Sequence, residues 1–480
     1  MPARFLIVLC LICVLGTLLM LNYIPIAWID EVMFADVGRN LAREGKMYSK
    51  LWSLPHTEDI LLAHLPLWNL VLGLWYKFSP FTLFWYRLPG LLLYALMGLF
   101  AWKYFSNKNT AYTAAFMTLL LLGDKCLFEA ARSMRMDILG ACIFCGLALL
   151  RENKFSPSLS ALLCGLLILV HPNFWIAALF FFADTVFKQG FQFRFFLLAL
   201  LPTVLFILWV FPEIDLLPIQ LLAHANEHRQ SEHQNILNLV FEFFKNRFFV
   251  WYEVQQLLPI SLLYALVSGI LLFAGSKEIR FWIVLLWAQF VFVLFFTGPF
   301  PRYILPLVLT VWLMLPTLWK KLPKINRKYK TLHILQSIAS SLIILLAMYP
   351  MGSRFLVATI QKEARDPKPV LEWMNASVPQ DQNFLIFDEA IGFYLDNPHS
   401  TFANIHTLNK YNYTEYPGGV YWLCYQPTET SGLVLISKYE TYSGMVIPGL
   451  PKRITYEGLK LYKVKDENTW FKIYKDKTGI

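Results

Sequence analysis

Two adjacent carboxylates, Asp30 and Glu31, follow directly on the first long apolar stretch of the chain, Phe5–Ile29. A charged side chain beside hydrocarbon costs about 2.5–3.5 kcal/mol on insertion scales, so a pair of them there calls for a reason. One reason is a solvated helix end. The other is an acid or base set to work on a substrate held in lipid. Similar groups recur where other apolar stretches end: Asp36, His64 in His64-Leu65-Pro66-Leu67-Trp68, the trio Arg132, Arg135 and Asp137, and Arg302-Tyr303 in Pro301-Arg302-Tyr303-Ile304-Leu305-Pro306. Each has an ordinary use. The arginines can anchor to lipid phosphate, Asp137 can pair with Arg135 or Arg132, His64 can be a hydrogen-bonded interface residue, and Arg302-Tyr303 can sit in an aromatic belt. Their coincidence on one side of the chain's topology weakens all these readings together.

The elements that would position these groups are membrane spans. The chain has 480 residues, of which 57% are hydrophobic and 15% charged, against about 45–50% and 25% in soluble domains. Mean hydropathy is clearly positive. This composition describes a polytopic α-helical membrane protein. The formal net charge is +10, but the basic residues fall in short loops between apolar spans, which excludes nucleic-acid binding. A span needs about 20 mostly apolar residues. On that rule spans fall near 5–28, 86–104, 110–125, 136–150, 157–172, 174–187, 194–212, 256–274, 280–297, 303–318 and 332–350, about eleven in all. Arg4 and its long apolar run read as a retained first helix rather than a cleaved signal.

Loop charge sets the orientation. With the N-terminus in the cytoplasm, the inner loops carry Lys103 and Lys108, Arg151 and Lys154, Lys188 and Arg194, Lys277 and Arg280, and finally Lys320, Lys321, Lys324, Arg327, Lys328 and Lys330. Every inner loop is then basic, as the positive-inside rule requires. Two outer loops are long, 29–85 and 213–255. The first holds an apolar stretch, His64–Tyr76, that reads as an interfacial helix. The second turns amphipathic and aromatic over Ile236–Trp251. An odd number of spans leaves the tail outside. From Ser353 that tail turns polar, with a helix over Pro369–Ser377, strands at Asn383–Phe387 and Gly432–Ile436, and a pair Leu459–Val464 with Trp470–Tyr474. The expected division is therefore 1–352, membrane-embedded, and 353–480, a small extramembrane α/β domain.

Other motifs carry less. The seven cysteines lie mostly within apolar runs, and the two C-x-x-C spacings, Cys10/Cys13 and Cys142/Cys145, read as small apolar packing. His224, His228 and His233 lie in a very polar stretch that reads as a solvated loop rather than a metal site. Asn375-Ala376-Ser377 and Asn412-Tyr413-Thr414 match the glycosylation acceptor pattern, which matters only in a eukaryotic secretory pathway.

Taken together, the polar segments resemble GT-C glycosyltransferases, in particular the protein O-mannosyltransferase and aminoarabinose transferase branch. The acidic pair in Asp30-Glu31-x4-Asp36-x2-Arg39-Asn40-Leu41 resembles the family's first outer loop. His64-Leu65-Pro66-Leu67-Trp68 resembles its His-Pro-Pro-Leu-Tyr, Arg87-Leu88-Pro89 opens the second span as Arg-Leu-Pro does, and Arg132-x2-Arg135-x-Asp137 and Arg302-Tyr303-x-x-Pro306 complete the order. The likeness covers about 1–320. One position departs: aminoarabinose transferases carry a Lys where Leu65 stands, which counts against a lipid A reading and shifts phosphate binding onto arginines.

The resemblance implies a GT-C fold and transfer of a sugar from a polyprenyl-phosphate donor to a hydroxyl of a lipid, glycan or protein acceptor, with inversion. It implies Asp30 as base, with Glu31 beside it orienting the site or binding acceptor. It implies Arg132, Arg135, Arg302 and Tyr303 around the donor phosphate, with Asp137 and His64 supporting. Some relatives hold a divalent metal cation and others act without one, so a cofactor stays open. The setting is an integral, multi-pass protein of a bacterial inner membrane, in contact with membrane lipids, with site and tail outside. A transporter or flippase of glycolipids is the competing class. It would place ionisable groups near the bilayer midplane and often show inverted repeats, neither of which the sequence shows.

Overall fold

The computed structural model describes residues 3–25, 27, 29–49, 51–52, 54–133, 135–153, 156–228, 277–296, 304–319, 330–379, 384–386, 390–394, 402–404, 420–424, 432–439 and 455–469. Arg302 and Tyr303, the span 256–274, the segment Ile236–Trp251 and the strand Trp470–Tyr474 lie outside them.

The first span is shorter than its hydropathy. Helix α1 is Ala3–Met20, and α2 begins afresh at Ile29 and runs to Glu44. Between them the chain tightens into turns, with the amides of Tyr23 and Ile24 donating to the Met20 carbonyl at 2.9 and 3.0 Å. Pro25 lacks an amide proton and disfavours helical backbone before it, so the helix cannot run on. Asp30 and Glu31 therefore stand in the first turn of a second helix, where the helix dipole favours acids, and not at the end of the first span.

The remaining helices are α3 (Leu67–Tyr76), α4 (Leu83–Lys108), α5 (Ala111–Gly123), α6 (Lys125–Arg132), α7 (Asp137–Asn153), α8 (Pro157–Ile168), α9 (Trp175–Gln189), α10 (Phe193–Trp209), α11 (Leu216–His228), α12 (Lys277–Phe296), α13 (Leu305–Trp319), α14 (Lys330–Ile360), α15 (Lys362–Arg365) and α16 (Pro367–Ser377). Ser156 caps α8 ahead of Pro157, its side chain accepting from the Leu159 amide. Helix α14 runs through the expected boundary at 352/353, so the change of composition at Ser353 falls inside a helix. The 213–228 segment, read from sequence as polar loop, contains α11.

The bundle turns apolar side chains outward. Leu11, Leu15 and Leu19 on α1 and Leu197, Leu201, Leu205 and Leu208 on α10 are exposed, as lipid contact requires and water would penalise. Inside, small residues let helices approach. A Cβ on Gly90 of α4 would meet the Ala131 carbonyl oxygen of α6 at 2.6 Å, and Gly73 of α3 admits Leu41 of α2 in the same way.

The 26 residues of α4 span roughly 39 Å at 1.5 Å per residue, and its two ends differ chemically. At its C-terminal end Lys108 pairs with Glu152 of α7 at 2.7 Å and with Glu278 of α12. Arg151 pairs with Asp184 of α9 at 3.1 Å and lies 3.9 Å over the Phe281 ring. This is the end that the basic loops share. The other end holds the acidic pair.

Beyond α16 the chain builds one sheet in the order β2-β1-β3-β5-β4, from Phe384–Ile386 (β1), Phe402–Asn404 (β2), Tyr421–Cys424 (β3), Leu433–Lys438 (β4) and Lys460–Val464 (β5). β1 runs parallel to β2 and β3, and β5 runs antiparallel to β3 and β4. β5 is paired on both edges, by β3 and β4, and the expected partner Trp470–Tyr474 lies outside the described residues. The sheet, with α16 beside it, is the expected small α/β unit.

Candidate active site

Glu31 is wholly buried, and its carboxylate meets Arg87 of α4 in a two-pronged pair, Nε to Oε1 at 2.5 Å and Nη2 to Oε2 at 2.7 Å. Such planar, charge-assisted pairs are the strong ones. Arg87 is also fully buried, and its Nη1 donates to the Leu21 and Pro25 carbonyls at 2.6 and 2.8 Å. One guanidinium thus ties α4, the start of α2 and the turn between α1 and α2 together. Asp30 precedes Glu31 on the same first turn.

A second arginine reaches the same turn from α6. Asp124 ends α5 and caps α6, its Oδ1 accepting from the Cys126 amide at 2.9 Å while its Oδ2 accepts from Trp312 Nε1 at 3.1 Å. The short helix so begun delivers Arg132, buried at 1% exposure, with Nε on the Phe128 carbonyl at 3.2 Å and Nη1 on the Ile24 carbonyl at 3.1 Å. Its guanidinium lies 3.9 Å over the Phe128 ring. Just beyond, Arg135 pairs with Asp137 at 3.0 Å, both buried, and Arg354 pairs with Glu129 at 2.7 Å. The Asp137 partner weighed from sequence is therefore Arg135.

The first outer loop folds over this end. Asp36 accepts from Arg39 at 2.8 Å and from Ser49 Oγ at 2.7 Å, and Trp52 Nε1 donates to the Met33 carbonyl at 3.1 Å. His64 is buried among aromatic rings, with centroids 4.2 Å from Trp52, 5.1 Å from Phe34 and 4.6 Å from His224 of α11. Gln220, one helical turn before His224, accepts from the Leu62 and Ala63 amides at 2.7 and 3.1 Å and donates to the Pro55 and Ile60 carbonyls at 2.9 and 2.8 Å. The two long outer loops are thus stitched together by one amide side chain.

The C-terminal unit closes over the same place. Phe81 packs edge-on against Phe393 at 5.3 Å, and Arg39 lies 4.5 Å over the Phe393 ring. The Ala27 amide donates to Tyr456 Oη at 3.1 Å. Burial pushes the Tyr456 phenol above its ordinary pKa, so it stays neutral in the physiological range.

The structure thus gathers Asp30, Glu31, Arg132, Arg135, Asp137 and His64 at one end of the bundle, and describes neither Arg302 nor Tyr303. It adds Arg87, noticed in the sequence only as part of a motif, and Gln220, His224, Tyr456 and Arg365, whose Nη1 donates to the Tyr23 carbonyl at 3.3 Å; these four carried no signal toward this site. For a metal, His56, Glu58 and Asp59 are the group among the described residues whose ligand atoms come close enough together. His56 and Asp59 are exposed and Glu58 is half-buried, and Asp137 is engaged with Arg135.

No family model matches the sequence, and no curated protein matches it. Solved structures do. ArnT from Cupriavidus metallidurans, bound to undecaprenyl phosphate, superposes with a TM-score of 0.62 at 12% identity, over 96% of this chain and 98% of that one. The Archaeoglobus fulgidus oligosaccharyltransferase tethered with an acceptor peptide gives 0.48 at 12% identity, over 88% and 69%, and its complex with Zn and sulfate gives 0.45 at 13%, over 82% and 62%. The agreement with ArnT extends over nearly the whole length of both chains, and the protein shares the polytopic helical fold of that structure.

Proposed function

We propose that the protein is an inverting glycosyltransferase that moves a sugar from a polyprenyl-phosphate donor to an acceptor hydroxyl at the outer face of a bacterial inner membrane. The observation that carries this reading is the start of α2, where Glu31 beside Asp30 is held by Arg87 and the preceding turn is held by Arg132, in a fold shared with an ArnT structure that has undecaprenyl phosphate bound. The basic loops at the opposite end support the orientation, with that end in the cytoplasm. The ion pairs described above lie at the two ends of the bundle, which favours an enzyme over a transporter built around midplane charge.

In this reading Asp30 takes the proton of the acceptor hydroxyl as its oxygen attacks the anomeric carbon. The bond from that carbon to the phosphate oxygen breaks, and the electron pair leaves with the polyprenyl phosphate. Attack opposite the leaving group inverts the centre. The growing phosphate charge needs donors already in place, and Arg135, Arg302 and Tyr303 are assigned to it, with Arg132 giving the same end its positive charge. Glu31 works through Arg87: a carboxylate closed by a two-pronged guanidinium is suited to hold geometry rather than to accept a proton. His64 and Asp137 support, by packing against Trp52 and by orienting Arg135. No step is assigned to a metal.

Purified protein in lipid nanodiscs, given a labelled polyprenyl-phosphate sugar and candidate acceptors, tests the proposal. Transfer by wild type and none by a well-folded Asp30→Asn variant is expected. Near wild-type turnover by that variant would remove Asp30 from its role.

A further inference from the structure

The turn between α1 and α2 is held by its backbone, and two of the five side-chain hydrogen bonds that hold it come from the C-terminal unit. Arg87 takes the Leu21 and Pro25 carbonyls, and Arg132 takes the Ile24 carbonyl. Both belong to the bundle. The Tyr23 carbonyl accepts from Arg365 Nη1 at 3.3 Å, and the Ala27 amide donates to Tyr456 Oη. Lys362, one turn before Arg365, lies 5.9 Å over the Tyr23 ring. The two C-terminal anchors are themselves joined, because the Tyr456 amide donates to the Ala364 carbonyl at 2.8 Å. Arg365 and Tyr456 are 0% and 1% exposed.

A guanidinium is a costly thing to bury for the sake of a loop carbonyl. Its Nε also spans to Gln361 at 3.0 Å, so the head group is oriented before it reaches Tyr23. The lever is short: Ala27 is three residues from Asp30, at most about 11 Å of extended chain. A shift at Ala27 has to be taken up between Ala27 and Asp30, because Glu31 just beyond is fixed to Arg87.

We propose that Arg365 and Tyr456 are positioning residues for the transfer reaction, holding the Tyr23–Ala27 backbone so that Asp30 meets the acceptor hydroxyl. The proposal rests on the glycosyl-transfer reading above. It makes the C-terminal unit a working part of the active site rather than an appended domain. Misplacement of a catalytic group by about 1 Å costs on the order of a hundredfold in rate, so the effect belongs in kcat and not in donor binding.

Two readouts on the full-length protein test it. In the transfer assay, Tyr456→Phe keeps the ring and removes the oxygen; kcat should fall about tenfold, with the donor KM within about twofold of wild type. Arg365→Met should fall by about tenfold to a hundredfold, and Arg365→Lys, which can still donate to the Tyr23 carbonyl, should recover part of the loss. In hydrogen–deuterium exchange, peptides covering 21–31 should exchange faster in Tyr456→Phe and Arg365→Met, while peptides from α7 stay unchanged. Unchanged exchange over 21–31 overturns the clamp. Wild-type kcat in folded variants, while Asp30→Asn is inactive, overturns the positioning role alone. Absence of transfer by wild type overturns the parent reading and this one with it.

Discussion

The Glu31–Arg87 pair yields the sharpest energetic test. Both groups are fully buried, and Arg87 makes four hydrogen bonds, two to the carboxylate and two to the Leu21 and Pro25 carbonyls. Removing one member of a buried ion pair costs about 3–5 kcal/mol, because the other is left charged and unmatched. Glu31→Leu strands only the guanidinium, which keeps its two carbonyls. Arg87→Met strands the carboxylate and also two carbonyls, each worth about 1–3 kcal/mol when left unmet. The double variant leaves no charge and only the carbonyl cost. It should therefore be more stable than Arg87→Met alone, with a coupling of at least about 3 kcal/mol, the upper end of what touching residues show. Reversible unfolding in mixed micelles, followed by tryptophan fluorescence, measures all four corners of the cycle. Single effects that add to within about 0.5 kcal/mol would refute the pair as the lock of this site. All three variants should be inactive and destabilised, whereas Asp30→Asn should be inactive at wild-type stability.

Three further outcomes follow from packing and hydrogen bonding. Gly90→Ala sets a methyl group against the Ala131 carbonyl; it should cost about 1–3 kcal/mol by overpacking and, by moving α6 and Arg132, raise the donor KM in the transfer assay. Gln220→Ala releases four backbone groups of residues 55–63; limited proteolysis should then cut this loop faster, while the melting of the bundle changes little. Lys108→Met breaks the network at the opposite end; it should lower stability and leave kcat at the wild-type value, which separates fold from chemistry.

Much of the bundle was legible because lipid contact writes continuous apolar runs. The expected spans 110–125, 157–172 and 280–297 meet helices 111–123, 157–168 and 277–296. The break after Met20 was hidden because the turn that follows is itself apolar. Its carbonyls, left without helical partners, are satisfied by arginines 62 to 342 residues away in sequence, and hydropathy cannot register a distant donor. Strand β3 escaped for a related reason: Tyr421–Cys424 is buried on both faces and so lacks the alternation that marks a strand. Its position beside β5 also explains why the local hairpin expected for Leu459–Val464 is not the pairing observed. The carboxylate pair stood out because charge at a membrane boundary is rare. Its partner Arg87 was visible only as the opening of a span, and Arg365 sits among ordinary charged residues with nothing to distinguish it.

The central claim is that a lipid-linked phosphate is held at the Asp30 end of the bundle. A cryo-electron microscopy map of the protein in nanodiscs with a polyprenyl phosphate tests it most directly. The account predicts phosphate density at the outer end, within hydrogen-bond distance, about 3 Å, of an arginine from the Arg132–Arg135 segment or of Arg302, and facing the first turn of α2. Phosphate density at the opposite end, among Lys108, Arg151 and Lys188, with none near Asp30, would contradict it.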